Sequence, residues 1–411
     1  MAPLVVRELW EIEELVEEIL IRTSPEEPAV LIRASLACKA WCSLLSGHAF
    51  RSRYCTLHKT PPILGFLQSW RNDVGRFVPI NNFHPRNPMR RDTSVLDCRH
   101  GRVLVACEFD KVDEDEEDDK GEEEEDRSRT ELPDPDIFDP DNKVYSATVL
   151  CAAEGCNHGA CNLAPFLVAF IAFEDFYDDD KYGDDDDLGY VWASVYSSAT
   201  GEWTSPIHIR VGIYGTGILE RPGVLVGRAL YVLLWVVDQK QQGRCGVLKY
   251  DFDRHDLSVI DLPELCEFEC LLISSDDGGL GVVQLDEHGL CLIWSMEVSP
   301  DGVVSWIQLR EMDLKALVPI GDPRSSKSLK LVGCVEGTDT ILAITDLGSF
   351  AIDPKSLKLR KLSDKICKNE FGLDRVFENL FLYTSFNNPP AVAGVVGKAS
   401  SSEGGGADAE V

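Results

Sequence analysis

The sequence lacks any long apolar run. The longest, Leu163 to Phe173, has eleven residues and includes Pro165, whereas a membrane-spanning helix needs about twenty apolar residues in succession. The sequence also lacks an Asn-x-Ser/Thr sequon and the basic, then apolar start of a secretory signal. We therefore expect no membrane partner, a cytoplasmic or nuclear location, and mostly reduced thiols among the fourteen cysteines.

Short catalytic signatures are also missing. There is no Gly-x-Ser-x-Gly elbow and no His-Glu-x-x-His pair. The stretch Gly394 to Ser400 has the wrong spacing for a phosphate-binding loop, and Gly215-Thr216-Gly217 lacks the third glycine of a dinucleotide site. The eight histidines are dispersed, so no acid–base pair can be nominated. We expect a non-catalytic protein without a cofactor.

Basic residues are scarce, with 40 Lys and Arg against 70 Asp and Glu and a net charge of -30. Most of the excess lies in two runs, Asp113 to Asp126 and Glu174 to Asp187. Neither run has the alternating ligands and central glycine of a calcium loop, so we predict unstructured, solvated loop insertions at 110–131 and 174–188. Because phosphate contacts need Lys and Arg, we expect no nucleic-acid partner.

Residues 9–58 are predicted to form a small module of three helices. In the first helix, apolar residues recur at i, i+3, i+4, i+7 and i+8, with acids on the other faces. A second helix is predicted from about Pro28 to Ser35, and a third from Leu36 through Leu45. About fifty residues are too few for a self-sufficient core, so we expect the module to pack on something else. The apolar stripe of the first helix is Ile12, Leu15, Val16, Ile19 and Leu20.

Two stretches of this module, Glu14 to Leu20 and Leu31 to Trp41 with its Cys-Lys-x-Trp element, resemble the F-box motif. The following His58 to Leu67 is similar to the junction in the large F-box families of cereal plants. Two positions depart from the family: Glu11-Ile12 stands where Leu-Pro usually begins the first helix, and Ala37 replaces a usual Val. Losing the pre-organised proline and a methyl-rich contact would weaken partner binding.

The resemblance implies that the helices bind the Skp adaptor of a cullin-RING ubiquitin ligase and that the remaining chain captures a protein substrate. Trp41 is expected both to pack inside the module and to anchor the interface. The residues that the resemblance nominates for adaptor binding are Ile12, Leu15, Val16, Ile19, Leu36, Cys38, Lys39, Trp41 and Leu44.

From 60 to 390 the pattern changes to short apolar runs separated by Gly, Asp, Asn and Pro, which is typical of antiparallel strands. Strand–turn–strand units recur around Gly201, Asp256, Gly302 and Ser356, at spacings of 55, 46 and 54 residues. A period near fifty indicates propeller blades of about four strands each. The predicted fold is therefore α+β and multidomain, a helical F-box followed by an all-β, propeller-like domain, with a β-sandwich pair as the alternative.

Further apolar segments complete the predicted ring. The segment 377–386 is expected to close it by pairing with 63–67 near the start of the β domain. The domain resembles F-box-associated or kelch-like domains, although it lacks Gly-Gly doublets at each repeat. The remainder, 391–411, is rich in Gly, Ser and Ala and is predicted to be a disordered tail. Strand pairs are predicted within Val224–Val237, Cys270–Leu285 and Leu329–Thr345, and Leu96–Phe109 and Val144–Phe173 are interpreted as earlier blade material interrupted by the acidic insertions.

Cys151, Cys156, His158 and Cys161 form the one cluster with metal-ligating residue types. Zinc accepts three thiolates and an imidazole, but this spacing matches no usual finger pattern. We favour reduced cysteines in a loop over a metal site here.

Two other function classes remain open. One is a propeller that binds a ligand or catalyses a reaction, with the helices as a cap. The other is a degenerate F-box protein whose role does not involve the adaptor. The substrate-receptor interpretation is favoured because the F-box resemblance supports it and no catalytic motif supports an enzyme.

Overall fold

The fold is taken from a computed structural model that describes most of the chain between residues 13 and 396. Within that span the description omits 26, 59–61, 71–72, 81–92, 108–129, 137–144, 154–155, 157–160, 162–163, 176–187, 214–216, 220, 238–242, 264–269, 276–277, 322–328, 336–337, 365–378 and 385–390.

The N-terminal segment forms four helices where the sequence predicted three. They are α1 (Glu13–Leu20), α2 (Pro28–Ala37), α3 (Lys39–Ser46) and α4 (His48–His58). The additional helix is α4. The second and third helices, predicted to meet between Ser35 and Leu36, are separated at Cys38, which has an extended backbone with φ of -160° and ψ of 162°. Its thiol accepts a hydrogen bond from the backbone N–H of Trp41 at 3.5 Å and so caps α3. Among the helices in the described ranges, none is long and apolar enough to cross a membrane.

The four helices share a small core of their own. Val16 and Leu20 of α1 pack there with residues of α2 and α4, and the Trp41 ring lies against them, half-buried. The buried members are Val16, Leu20, Ile21, Ala34, Phe50 and Tyr54, with Leu31, Trp41, Leu44 and Leu45 packed against them.

The rest of the described chain is almost entirely β. A short helix, α5 (Leu314–Leu317), is the exception. The strands are β1 (Ile63–Trp70), β2 (Asp73–Pro79), β3 (Thr93–Arg99), β4 (Arg102–Cys107), β5 (Tyr145–Cys151), β6 (Phe166–Asp175), β7 (Leu188–Ser197), β8 (Glu202–Trp203), β9 (Ile207–Ile213), β10 (Gly217–Ile218), β11 (Val224–Val226), β12 (Ala229–Val237), β13 (Gly243–Asp251), β14 (Asp256–Asp261), β15 (Cys270–Ser274), β16 (Leu280–Leu285), β17 (Leu290–Val298), β18 (Val304–Asp313), β19 (Leu329–Cys334), β20 (Ile341–Thr345), β21 (Gly348–Asp353), β22 (Lys358–Ser363), β23 (Asn379–Thr384) and β24 (Ala391–Val396).

These strands form six sheets. Sheet I has the order β2-β1-β23 and sheet II the order β24-β4-β3. Sheet III is β5-β6-β7-β8 with β9 on β7, and sheet IV is β10-β12-β13-β14 with β11 on β12. Sheets V and VI are β15 to β18 and β19 to β22, each in sequence order. Neighbouring sheets contact one another in turn, and β19 of sheet VI contacts β23 of sheet I. The predicted propeller-like arrangement is thus confirmed.

The repeat seen in the sequence corresponds to one sheet per unit. All four turn markers lie in the hairpin between the third and fourth strands of sheets III to VI. Gly201 and Gly302 adopt φ of +76° and +81° there, a region that favours glycine. In sheet VI the carboxylate of Asp353 accepts backbone hydrogen bonds from Lys355 and Ser356. The strand pairs predicted within Val224–Val237, Cys270–Leu285 and Leu329–Thr345 are confirmed, and the two earlier segments contribute the pairs β3–β4 and β5–β6.

The two ends of the β domain meet, as predicted. Strand β1 pairs with β23, with Ile63 opposite Thr384 and Leu67 opposite Phe381. Strand β24 then pairs in parallel with β4, where the sequence predicted a disordered tail. The first six residues of the predicted tail, 391–396, are two Ala, three Val and one Gly. Valine favours strands. Residues 397–411 lie outside the described ranges.

The acidic runs fall mostly outside the described residues. This holds for all of Asp113 to Asp126 and for 176–187 of the second run. Glu174 and Asp175 end β6, and Asp175 pairs with Gly189 of β7. The second run therefore connects two paired antiparallel strands.

Candidate functional site

The helical module leaves large apolar side chains exposed to solvent. Ile19 is 65% exposed, Leu36 is 77% exposed and Leu15 is 41% exposed. All three belong to the set nominated for adaptor binding. Leaving a leucine or isoleucine in water forgoes about 1.5–3 kcal/mol that burial would provide. The module therefore presents an apolar surface that a partner could cover.

The apolar stripe of α1 divides into two rows. Val16 and Leu20, four residues apart on one face, are buried in the module core. Leu15 and Ile19 form the neighbouring row one residue earlier, and they are exposed. The sequence predicts the stripe but not this division, because the division depends on where α2 and α4 pack.

A second exposed stretch surrounds the break between α2 and α3. Residues 36–40 are all exposed, including Cys38 and Lys39 of the nominated set. Trp41 and Leu44 are half-buried against the module core. Ile12, the remaining nominated residue, lies outside the described residues.

Helix α4 fixes the position of α1. The guanidinium of Arg53 contacts the carboxylates of Glu17 and Glu18 at 2.5 Å each. The hydroxyl of Tyr54 donates to the carbonyl of Thr23 at 2.9 Å. Hydrogen bonds from Arg53, then from Arg22, lower the pKa of Glu18, while burial raises the pKa of Tyr54. The charged carboxylate and the neutral phenol therefore both keep their partners at neutral pH.

A partly open cavity lies where sheets I, II, IV, V and VI meet. Its charged lining residues are Asp97, Arg99 and Arg221. Asp97 pairs with Arg99 at 3.1 Å and accepts the backbone N–H of Val149 at 2.9 Å, and Arg99 donates to the carbonyl of Gly223. These charges tie sheet II to its neighbours. The described lining contains no histidine and no second carboxylate with which Asp97 could form an acid–base pair.

Sequence reasoning did not single out this buried ion pair. Asp97 and Arg99 are 1% and 8% exposed. A signal was available, since both interrupt an apolar strand that includes Val95 and Leu96. Charged residues are rarely buried unless they are paired.

The structure brings three of the four metal-type residues together. The sulphur atoms of Cys151, Cys156 and Cys161 all lie within 4.8 Å of one another, and none is in a disulfide. His158 lies outside the described residues. The sequence singled out these residues as one cluster but favoured reduced cysteines in a loop, since their spacing matches no usual zinc-finger pattern.

No protein-family model matches the chain, and no curated protein matches its sequence. Among solved structures, the chain is similar to an acylaminoacyl peptidase from Pyrococcus horikoshii, at 10% identity and a TM-score of 0.25, over 48% of this chain and 36% of that one. It is also similar to a mannose phosphorylase from Leishmania mexicana, at 6% identity and a TM-score of 0.19, over 53% of this chain and 50% of that one. The chain thus spans half or less of either protein, and TM-scores this low support no inference about activity.

Proposed function

We propose that the protein is a substrate-recognition subunit of a Skp-cullin-F-box type ubiquitin ligase. The N-terminal helices dock on a Skp-type adaptor, and the propeller-like β domain captures the protein to be ubiquitinated. The observation that supports this most is the exposure of Leu15, Ile19 and Leu36. These side chains were nominated from the F-box resemblance alone, before any burial was known.

The nominated residues take different roles in this proposal. Ile19 and Leu36 are direct contacts, since both are exposed and apolar. Val16 is 5% exposed and supports binding through the module core instead. Trp41 does both, because its ring packs on that core while its flanking residues are exposed. Burying three large side chains contributes several kcal/mol, part of which offsets the entropy lost on association.

The β domain fits the receptor role through its architecture. A ring of sheets holds its connecting loops on a rigid frame, and binding residues occur disproportionately on such loops. The ligase chemistry belongs to other subunits, so this role requires no catalytic group in the chain.

The direct test measures binding of the full-length chain to a plant Skp adaptor by isothermal titration calorimetry. The proposal predicts a one-to-one complex. Ile19→Ala and Leu36→Ala should each cost about 2 kcal/mol, close to a 30-fold loss of affinity, if they are anchors. Leu57→Ala is the matched control, because Leu57 is 53% exposed on α4 and lies outside the nominated set. Its affinity should stay within about twofold of wild type.

Two results would overturn the proposal. One is a folded wild-type chain that binds no adaptor. The other is equal weakening by Leu57→Ala and Leu36→Ala, which would indicate non-specific contact.

The second candidate function is a propeller that binds a small ligand, and the cavity where sheets I, II, IV, V and VI meet favours it, because mostly apolar walls there surround Arg99 and Arg221. In that case the Leu36→Ala variant would have no effect on function. A substitution in the cavity wall, such as Ser274→Trp, would abolish ligand binding and leave adaptor binding intact.

A further inference from the structure

We infer that Cys151, Cys156 and Cys161 form a zinc-binding site in the connection between β5 and β6. The inference is independent of the proposed ligase function, since the site lies in the β domain, away from the helical module in the chain.

The geometry brings together three thiols from two kinds of structure. Cys151 is the last residue of β5 and pairs with Phe166 of β6, so its position is fixed by the sheet. Cys156 and Cys161 come from the segment that joins these strands. All three sulphurs lie within 4.8 Å of one another. Tetrahedral zinc with Zn–S bonds of about 2.3 Å places its sulphurs about 3.8 Å apart. A contraction of about 1 Å or less would therefore complete the site.

The backbone around the thiols is held from several directions. The N–H of Ala152 donates to the carbonyl of Pro165 at 3.0 Å, which closes the base of the connection. The N–H of Ala164 donates to the carbonyl of Cys161 at 2.9 Å. Buried Arg102 donates to the same Cys161 carbonyl at 2.6 Å and also to the carbonyl of Ala164. All of these bonds are accepted by backbone carbonyl oxygens, so they hold the backbone at Cys161 without using its thiol as an acceptor.

Arg102 is a positioning residue in this arrangement. It is 2% exposed and belongs to β4 of the neighbouring sheet. Its guanidinium also lies over the ring of Phe166, 5.3 Å from the centroid. The connection is thereby attached to two sheets, which pre-organises the thiols before a metal arrives.

The charge balance of the cluster favours a cation. Three thiolates close together repel one another unless a cation neutralises them, and Zn²⁺ supplies two positive charges. Zinc binding would therefore release thiol protons to solvent.

The ligand set selects the class of metal. Soft thiolates favour zinc over magnesium, calcium or manganese, which prefer oxygen ligands. Three protein thiolates leave one tetrahedral position, and the described cluster supplies no fourth side chain. A water molecule would occupy it.

The test uses the full-length chain, stripped with chelator under reducing conditions. It is titrated with Co²⁺, a spectroscopic substitute for zinc, and then with Zn²⁺. We expect one metal per chain and a thiolate-to-cobalt charge-transfer band that zinc abolishes. Cys156→Ser and Cys161→Ser should each weaken zinc binding by about 100-fold or more. Cys42→Ser is the control, because Cys42 is an exposed thiol on α3, and its affinity should match wild type.

Alkylation provides a second readout that does not depend on a spectrum. Zinc should protect Cys151 and Cys156 of the wild-type chain from iodoacetamide, measured by peptide mass spectrometry. Cys156 is half-buried and tests the site with less risk to folding than Cys161, which is buried. Absence of a charge-transfer band, or equal zinc affinity in wild type and both variants, would overturn the inference. A disulfide between two of the three cysteines in the zinc-loaded chain would also overturn the inference.

Discussion

The helical module and the ring of sheets differ in the size of the cores they build. The ring buries apolar residues in several contiguous clusters, and Leu230, Val282 and Ile341 are fully buried. The module buries one small core and leaves Ile19 and Leu36 mostly in water. The ring also has exposed apolar side chains, such as Val303 and Leu309, so the module is distinguished by how small its core is beside its exposed apolar surface.

The ion pairs of the two regions also differ in how deeply they are buried. Asp97 and Arg99 of the ring are almost fully buried and bind backbone groups of two other sheets. Arg53 of the module is half-exposed and holds two carboxylates at the surface. Buried pairs are costly to break, whereas exposed pairs contribute little and are screened by salt.

The largest expected effect comes from breaking the buried pair of the ring. Asp97→Ala leaves the Arg99 guanidinium buried without its carboxylate, which should lower the free energy of unfolding by about 3–5 kcal/mol. Urea unfolding followed by tryptophan fluorescence measures it. Asp261→Ala is the matched control, since Asp261 forms an exposed pair with Arg244 at 3.0 Å, and it should cost no more than about 1 kcal/mol. Equal losses would refute the contrast.

The next effect should be confined to the module. Trp41→Ala removes a half-buried ring that packs against the module core, so we expect a loss of about 3 kcal/mol in the stability of the helices. Hydrogen exchange measured by mass spectrometry should show faster exchange in peptides from 13–58 and unchanged exchange in the ring. Trp41→Phe should retain most of the protection. Faster exchange throughout the ring would show that the two regions unfold as one unit.

The exposed row of α1 should matter very little for stability. Ile19→Ala should change the free energy of unfolding by about 0.5 kcal/mol or less, because the side chain is 65% exposed. Leu20→Ala, one residue later and 7% exposed, should cost about 2–5 kcal/mol. Thermal unfolding of the two variants side by side checks the division of the stripe. A large cost at Ile19 would mean that the side chain packs inside the chain.

The smallest effect concerns pH at a turn of the ring. A hydrogen bond from the Ser356 hydroxyl at 2.5 Å, then backbone donors, lower the pKa of Asp353 below its ordinary value of 3.8. A lowered folded pKa means that the stabilisation is present above the unfolded pKa and is lost as pH falls through the folded pKa. Asp353→Ala should therefore be less stable than wild type at neutral pH, and the difference should shrink in acid. Ser356→Ala should reduce this pH dependence. Denaturant unfolding of wild type and Asp353→Ala across the acidic range measures this difference in stability. A difference that grew as the pH fell would contradict the prediction.

The ring was largely predictable because its signals are local. Turn residues such as Gly201 and Gly302 mark hairpins, and apolar runs mark the strands between them. The boundary between α2 and α3 was predicted between Ser35 and Leu36 and lies at Cys38, because apolar spacing alone does not show where the backbone becomes extended. The division of the α1 stripe depends on tertiary packing. The sequence singled out Cys151, Cys156 and Cys161 as members of one cluster, but only the fold shows how close their sulphur atoms lie.

The pairing of β1 with β23 also sets an order for folding during synthesis. Ile63 cannot pair until Thr384 has been synthesised. A ribosome that adds about 5–20 residues per second needs about 15–60 s to make the intervening chain. During that time Leu64 and Phe66, buried in the finished ring, lack one of their neighbouring strands, and an open strand edge is prone to aggregate. The helical module has no such delay, because its core lies entirely between residues 16 and 54. The exposed Leu36 of the module would therefore be in place while the ring is still unclosed.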